Sequence, residues 1–329
     1  MHVLLVKTSS LGDVVHNLPV VTDIQRHLPG AVIDWVVEEG FADIPRLHPG
    51  VHKVIPVALR RWRKQLFAAD TWREIAALRY ELKHDCYDVV LDTQGLIKSA
   101  VIAKQAGLAV NGRRVGYAAE AAREPLAAHF YDAGFAVPKN AHAIERNRRL
   151  AASALGYALD QPLDYGINTE ALVAAKVGTK VGNWLPPQPY AVFLTGTSRT
   201  DKLWPEADWL ALARALDIHV VLPAGSAEER ARAQRLAALM PRATMAPALN
   251  VAGIASLMGG AHFVVGLDTG LTHLAAALNR STLAIFCGSA PQLTGILAGS
   301  ASGNIAINLG DKGAPPSADE VISAVRGLR

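Results

Sequence analysis

The chain has 329 residues, half of them apolar and 19% charged, which is enough apolar matter for about two packed domains and excludes a disordered chain. Its 33 basic and 29 acidic residues leave a net charge of +4, too small and too dispersed for a protein that coats nucleic acid. The cysteines Cys86 and Cys287 lie far apart, which excludes a disulfide scaffold and a CxxC metal or redox motif and fits a reducing compartment.

In chain order, Val3–Val6 reads as a buried strand rather than a signal peptide, whose apolar core would run to about 7–15 residues. No apolar run approaches the ~18 residues of a membrane span, so a cytoplasmic protein is expected. An amphipathic helical segment follows over Val14–His27, then strands over Ala31–Val37 and Val51–Val57. Trp72, Ile75, Leu78 and Leu82 give Thr71–His84 helical spacing, and Thr71 with Glu74 has the form of a capping box. A strand over Tyr87–Leu91 and a helix over Gly95–Gly107 continue the alternation. The second half restarts it, with strands at Ala191–Leu194, His219–Leu222, Phe263–Val265 and Thr282–Phe286. Helices are predicted over Glu206–Leu216, Ala227–Met240, Val251–Met258, Leu271–Leu278 and Ala318–Leu328. Strand–helix alternation of this kind implies mostly parallel sheets covered by helices.

The Pro- and Gly-punctuated stretch 161–189, with Gly178, Gly182 and the Pro186–Pro189 run, marks a linker between a domain over 1–160 and another over 190–329. The final helix either closes the second domain or packs back on the first. The expected fold class is α/β: two Rossmann-like, doubly wound domains facing a central cleft. In such sheets ligands sit where strands end and helices begin, so the chemistry is sought in those turns.

Four turns and one charge run stand out. Lys7–Val14 gathers Ser10, Gly12 and Asp13 at the start of the first helix; Asp13 is either a cap or a general base. A helix N-terminus lowers a carboxylate's pKa and weakens it as a base, whereas burial offsets this. Thr195–Pro205 places Thr197, Ser198 and Lys202 between a strand and a helix, where hydroxyls and backbone N–H groups suit a phosphate, although the loop is not a Walker A. Asp268, Thr269, Gly270 and His273 open a later helix whose free N–H groups suit a diphosphate. Glu229, in the turn after His219–Leu222, is either a ribose acceptor or an ordinary acidic first-turn residue. Arg60, Arg61, Arg63 and Lys64 lie within five residues around Trp62, a run suited to a phosphorylated acceptor as well as to a solvated face. No DxD, HExxH or CxxC motif points to a metal.

Several of these stretches together resemble glycosyltransferase family 9, the heptosyltransferases. They are the Lys7–Asp13 run, Asp34–Phe41, Arg60–Lys64, Asp92–Ser99, Ala122–Leu126, Asp201–Pro205 and Val265–His273. The resemblance covers essentially the whole chain. It implies the GT-B architecture and transfer of L-glycero-D-manno-heptose from ADP-heptose to the inner Kdo of Kdo2-lipid A, with inversion and without a metal or other cofactor. It implies a general base at Asp13 and a phosphate-side loop at Ser10 and Gly12. Thr197, Ser198 and Lys202 match the diphosphate turn, with Lys202 also serving catalysis. Asp268, Thr269, Gly270 and His273 match a second donor turn, and Glu229 the ribose contact. Arg60, Arg61, Arg63, Lys64 and Arg123 match the cations that face the acceptor. An N-terminal acceptor domain, a C-terminal nucleotide-sugar domain and peripheral association with the cytoplasmic face of the inner membrane follow from the same resemblance, with no nucleic-acid partner. The donor turns would look alike in a family member that adds a later heptose, and the fold is shared with sugar-nucleotide epimerases and with non-catalytic binders. The acceptor half favours the first transfer. Basic residues number 20 against 17 acidic ones over 1–160, and 13 against 12 over the rest, so the small excess sits mostly where the acceptor is expected.

Overall fold

The computed structural model describes residues 1–175, 184–300 and 303–328. The chain forms two compact units, Met1–Gln161 and Pro162–Arg329. The expected linker 161–189 lies, apart from Gln161, in the second unit; Gly178 and Gly182 fall outside the described residues. The stretch is more than a linker. It contains a helix, Thr169–Ala174, capped by Asn168 and packed on the helix Val251–Gly259.

The first unit holds one parallel sheet of six strands: β1 (His2–Val6), β2 (Val32–Glu38), β3 (Lys53–Val57), β4 (Cys86–Asp92), β5 (Gly107–Tyr117) and β6 (Ala133–Phe135). The second holds another: β7 (Tyr190–Leu194), β8 (His219–Leu222), β9 (Ala243–Met245), β10 (Phe263–Leu267), β11 (Thr282–Phe286) and β12 (Ala306–Gly310). The strand orders are β3-β2-β1-β4-β5-β6 and β12-β11-β10-β7-β8-β9. Numbered within its own unit, each is the doubly wound order 3-2-1-4-5-6. Every strand pair is parallel, for example Leu4 against Asp34 and Val90, and Val265 against Phe193 and Leu283. The order reverses between β1 and β4 in one sheet and between β7 and β10 in the other, and a ligand crevice opens at such a switch point.

The central strands are apolar on both faces because helices cover both. In the first unit Leu4, Val6, Val36, Ile55 and Val90 pack with Trp62, Leu82 and Ile102 from the helices. In the second, Phe193, Val265 and Ile285 pack with Trp204, Trp209 and Leu212. The two indoles there meet edge to face at 5.1 Å, and Trp204 Nε1 donates to the Pro316 carbonyl at 2.8 Å, so a bulky ring is buried with its polar atom paired. Val321 and Val325 of the last helix, Ala318–Arg326, sit in this same core and the helix packs on Glu206–Ala215. It closes the second unit on its own core.

Several predicted elements change. The helix expected from Thr71 starts at Ala69 with Ala68 as its cap, because the turn 65–68 closes two residues earlier. Glu74 does not cap; it accepts from Trp62 Nε1 and Arg61 instead. The segment Val14–His27 is two helices, Leu11–Val15 and Leu18–His27. Strand β5 escapes the sequence reading because Asn111 takes a left-handed φ of 67° and polar residues break the apolar run. There Gly112 lies so close to the Tyr87 carbonyl that a Cβ would stand 2.5 Å away. Strands β6 and β9 are three residues each, below any pattern. The helix Ala143–Leu155 was not foreseen either; its charged residues hide an inward stripe in which Arg148 bonds Asp23 at 2.7 and 3.0 Å.

Candidate active site

The switch point of the first unit gathers the Asp13 carboxylate and several cations. After β1 the chain turns directly into the short helix Leu11–Val15, which lifts Asp13 to the end of the sheet, with Gly12 beside it in the first turn. Asp13 Oδ2 accepts from the Ser10 backbone N–H at 2.9 Å and from its hydroxyl at 3.1 Å. The Thr8 and Ser9 N–H groups both donate to Gln94 Oε1, from the loop after β4. The Thr8, Ser9 and Ser10 N–H groups are therefore engaged in holding the loop's shape, and Ser10 positions Asp13.

Arg123 Nη2 donates to Asp13 Oδ1 at 2.7 Å. Its reach depends on Gly95, whose φ of +66° and bare Cα let the segment Ala122–Arg123 lie against the β4 loop. The Glu124 N–H to Gly95 carbonyl bond, 3.0 Å, secures that contact. Lys7, buried just after β1, donates to the Thr93 carbonyl at 2.7 Å and to Asn147 Oδ1 at 3.3 Å. Burial pushes the Lys7 amine down to about 8, against the pull of Asp13. Burial would raise the Asp13 carboxyl, but Lys7, Arg123 and the Ser10 N–H outweigh it and hold it at about 2. Asp13 is thus a partly exposed, fully ionised carboxylate facing a pocket lined by Lys7, Gln94, Tyr117, Arg123, Arg146 and Asn147.

The basic run is a helix, Leu59–Lys64, following β3. Its members differ in circumstance. Arg61 bonds both Glu39 and Glu74, which raise its already high pKa. Trp62 is buried and packs in the core. Arg60 lies over the Phe41 ring at 5.1 Å. Arg63 and Lys64 are exposed and have no carboxylate partner among the described residues. Together with Arg60, Ser9 and Lys98 they border a cavity of about 620 Å³. Lys98 Nζ donates to Ser9 Oγ at 3.0 Å, which ties this cavity to the Asp13 loop.

The second unit builds its crevice after β7 and β10. The loop after β7 ends in a single 3₁₀ turn, Thr200–Lys202, that brings Lys202 Nζ to Asp268 Oδ2 at 2.5 Å. Ser289, after β11, donates its hydroxyl to the same oxygen, and His273 Nε2 stands 3.5 Å from Oδ1. Burial would raise the Asp268 carboxyl, but His273, Lys202 and Ser289 drive it well below the usual carboxylate range. Thr269 caps the helix Gly270–Ala277 without spending its side chain on the cap, so the first N–H groups remain directed outward. The Thr272 hydroxyl packs on Gly266, where a Cβ would stand 2.3 Å from it.

Glu229 closes a capping box: Oε2 accepts from the Gly225 and Ser226 N–H groups, and Ser226 Oγ accepts from the Glu229 N–H. Its Oε1 bonds nothing among the described residues. Gly196 lies against this side chain, where a Cβ would stand 2.7 Å from Cγ, so the loop carrying Thr197 and the exposed Ser198 depends on a glycine the sequence reading passed over.

Thus Ser10, Gly12, Asp13 and Arg123 come together in the first unit, with Arg60, Arg63 and Lys64 bordering the neighbouring cavity. Lys202, Asp268, Thr269, Gly270 and His273 come together in the second, with Thr197, Ser198 and Glu229 on adjoining turns. Sequence reasoning missed Lys7, Lys98, Asn147 and Ser289. Lys7 and Lys98 stand inside motifs already noticed; Asn147 and Ser289 carry no local signal. Among the described residues no group of three or more His, Cys, Asp or Glu is placed to hold a metal ion, and no helix is long and apolar enough to cross a membrane.

Two doubly wound sheets, each with its polar residues at the switch point, define an enzyme-like α/β protein of paired Rossmann-like units. A family model for glycosyltransferase family 9 (heptosyltransferase) matches residues 75–318, and the chain belongs to that family of transferases. It is 48% identical over 299 residues to a lipopolysaccharide heptosyltransferase 1 of Pseudomonas aeruginosa, covering 90% of this chain and 81% of that protein. It is 44% identical to the protein of the same name from Escherichia coli K12, covering 90% of each. The solved structure of E. coli heptosyltransferase WaaC with ADP superposes over the whole of both chains with a TM-score of 0.88 and 39% identity, and the fold is GT-B. E. coli ADP-heptose lps heptosyltransferase II shares the fold at a TM-score of 0.75 and 22% identity.

Proposed function

We propose that the chain transfers L-glycero-D-manno-heptose from ADP-heptose to the inner Kdo of Kdo2-lipid A, in lipopolysaccharide inner-core synthesis. The observation that carries this reading is the 48% identity over 90% of the chain to a lipopolysaccharide heptosyltransferase 1; by superposition the identity is 39% to E. coli WaaC against 22% to E. coli heptosyltransferase II. The structures of the E. coli enzyme with ADP and with ADP-2-deoxy-2-fluoro heptose support a nucleotide-sugar donor.

In this reading the first unit binds the acceptor and the second the donor. The acceptor hydroxyl oxygen bonds to the anomeric carbon as the bond to ADP breaks from the opposite face, which inverts that centre. Asp13 takes the hydroxyl proton. At about 2 its carboxyl is a weak base while Arg123 holds it. An acceptor carboxylate or phosphate competes for Arg123, and its withdrawal raises the proton affinity of Asp13. Lys202, held by Asp268, meets the charge that grows on the departing diphosphate, aided by Thr197, Ser198 and the N–H groups after Thr269. His273 keeps Asp268 ionised, and Glu229 offers Oε1 to the ribose. Arg60, Arg63 and Lys64 receive the acceptor's anionic groups. Arg61 serves this set by bracing the helix through Glu39 and Glu74. These cations and helix N–H groups supply the positive charge a diphosphate leaving group needs, so no metal or other cofactor takes part. The lipid acceptor places the enzyme on the cytoplasmic face of the inner membrane, as a peripheral protein.

The deciding experiment offers ADP-heptose with Kdo2-lipid A or with its mono-heptosylated product, in EDTA. Transfer to the first alone is expected. Preference for the second, or loss of activity in EDTA, overturns the reading.

A further inference from the structure

Beside the cationic helix the chain carries an apolar feature that the proposed reaction does not use. After Lys64 the backbone turns through 65–68, with the Ala68 N–H donating to the Gln65 carbonyl at 3.0 Å, and enters the helix Ala69–His84. At the turn Phe67 is completely exposed, Leu66 is half-exposed, and Trp72, one turn into the helix, is 59% exposed. Trp72 Nε1 donates to the Leu66 carbonyl at 2.8 Å, which holds the three apolar side chains on one small element. The cavity bordered by Arg60 and Lys64 includes Leu66 but not Phe67. Phe67, fully exposed, therefore projects from the turn and not into that cavity. A ring so placed is poorly suited to gripping one ligand, since a pocket buries most of what it binds. It suits a fluid apolar phase that closes around it. An indole with its N–H satisfied and a flank of cations, Arg63 and Lys64, with no carboxylate partner among the described residues, is the composition of elements that rest in the headgroup region of an anionic bilayer.

We infer that the turn 65–68 docks the protein on anionic bilayers: Phe67 and Leu66 enter the headgroup–acyl boundary, Trp72 lies at the interface, and Arg63 and Lys64 meet lipid phosphates until an acceptor engages them. The inference rests on the proposed reaction only in purpose, since a membrane-borne acceptor gives docking a use. The bilayer itself, not the acceptor's chains, is the occupant.

The test is co-sedimentation of the full chain with phosphatidylethanolamine–phosphatidylglycerol vesicles that contain no acceptor lipid, beside pure phosphatidylcholine vesicles. Binding to the anionic vesicles is expected, weakened by salt, with weaker binding to the neutral ones. Phe67→Asp should lower the partition coefficient about tenfold or more, because the ring loses an apolar burial. Phe67→Leu should keep most of it. Arg63→Gln with Lys64→Gln should flatten the salt dependence. Equal binding by Phe67→Asp and the parent overturns the inference, as does equal binding to the two vesicle types. Binding that appears only when acceptor lipid is added also overturns it, in favour of an acyl-chain site. Transfer to a deacylated, water-soluble acceptor separates the two readings. If Phe67→Asp retains that transfer while losing vesicles, docking stands. If the parent transfers but binds no vesicle, docking falls and the reaction stands; if it docks but transfers to no acceptor, the reverse holds.

Discussion

The two switch points carry the same ingredients and use them differently. Each has a carboxylate in the segment that follows a central strand, driven to the ionised form by adjacent cations. Asp268 is saturated: Lys202, Ser289 and His273 take its oxygens, and only 9% of its side chain is exposed. Asp13 is held by Ser10 and by Arg123, an arginine that is itself about half-exposed and so open to exchange with another anion. A saturated carboxylate fixes the position of its partners, whereas one held by an exchangeable cation can change its proton affinity when that cation is drawn away. The pair thus separates a buttress from a base, although both lie well below the usual carboxylate pKa.

Substitution tests this difference most directly. Asp13→Ala is expected to lower kcat by roughly 10²-fold or more while ADP affinity is unchanged, measured by steady-state kinetics and calorimetry. Normal turnover would make Asp13 a helix cap and erase the contrast. Lys202→Met removes a preorganised donor to the leaving group and should lower kcat by about 10²-fold. Asp268→Asn should lower it less, because it loosens Lys202 without removing it; an effect of Asp268→Asn as large as that of Asp13→Ala would break the distinction between buttress and base. Arg63→Gln with Lys64→Gln should raise the acceptor KM by about tenfold and leave the ADP-heptose KM alone, since each lost charge contact is worth on the order of 1 kcal/mol at an exposed site. An equal rise in both constants would remove these cations from the acceptor side.

Proton linkage gives the smallest effects. Asp13 titrates at about 2 folded and near 3.8 unfolded, so its stabilisation, about 2 kcal/mol, is present above the unfolded value and is lost as pH falls through about 2. Asp268 acts in the same direction. Lys7 acts in the opposite pH range. Its amine is lowered to about 8 from 10.5, so the unfolded chain binds the extra proton between those values and stability rises with pH across that window. Urea melts of the parent and of Lys7→Met between pH 7 and 10 should differ in slope by that contribution. Identical slopes would show that Lys7 is not held in a dehydrated site.

The alternation of apolar runs with helical spacing made both sheets legible, because parallel strands covered on two faces must be apolar throughout, as in Val3–Val6 and Phe263–Val265. The turns were legible for a related reason. Small, hydroxyl-bearing and acidic residues collect where a strand hands over to a helix, as at Ser10–Asp13 and Asp268–Gly270, and these are local conformational demands. Edge strands such as β6 and β9 were not legible, since three half-covered residues impose no pattern. Nor was the helical state of Arg60–Lys64, whose cations hide a single buried residue, Trp62.

Sequence alone therefore determined the class of fold, the turns that hold Asp13, Lys202 and Asp268, and the family resemblance those turns carry. Only tertiary structure decided who faces whom. Arg123 reaches Asp13 across 110 residues, Lys202 reaches Asp268 across 66, and Lys7 reaches Asn147 across 140. Such pairings decide which carboxylate is saturated, which arginine is exchangeable and which lysine is dehydrated. Charge and burial act through space, and a local pattern records only the residues that one turn of backbone brings together.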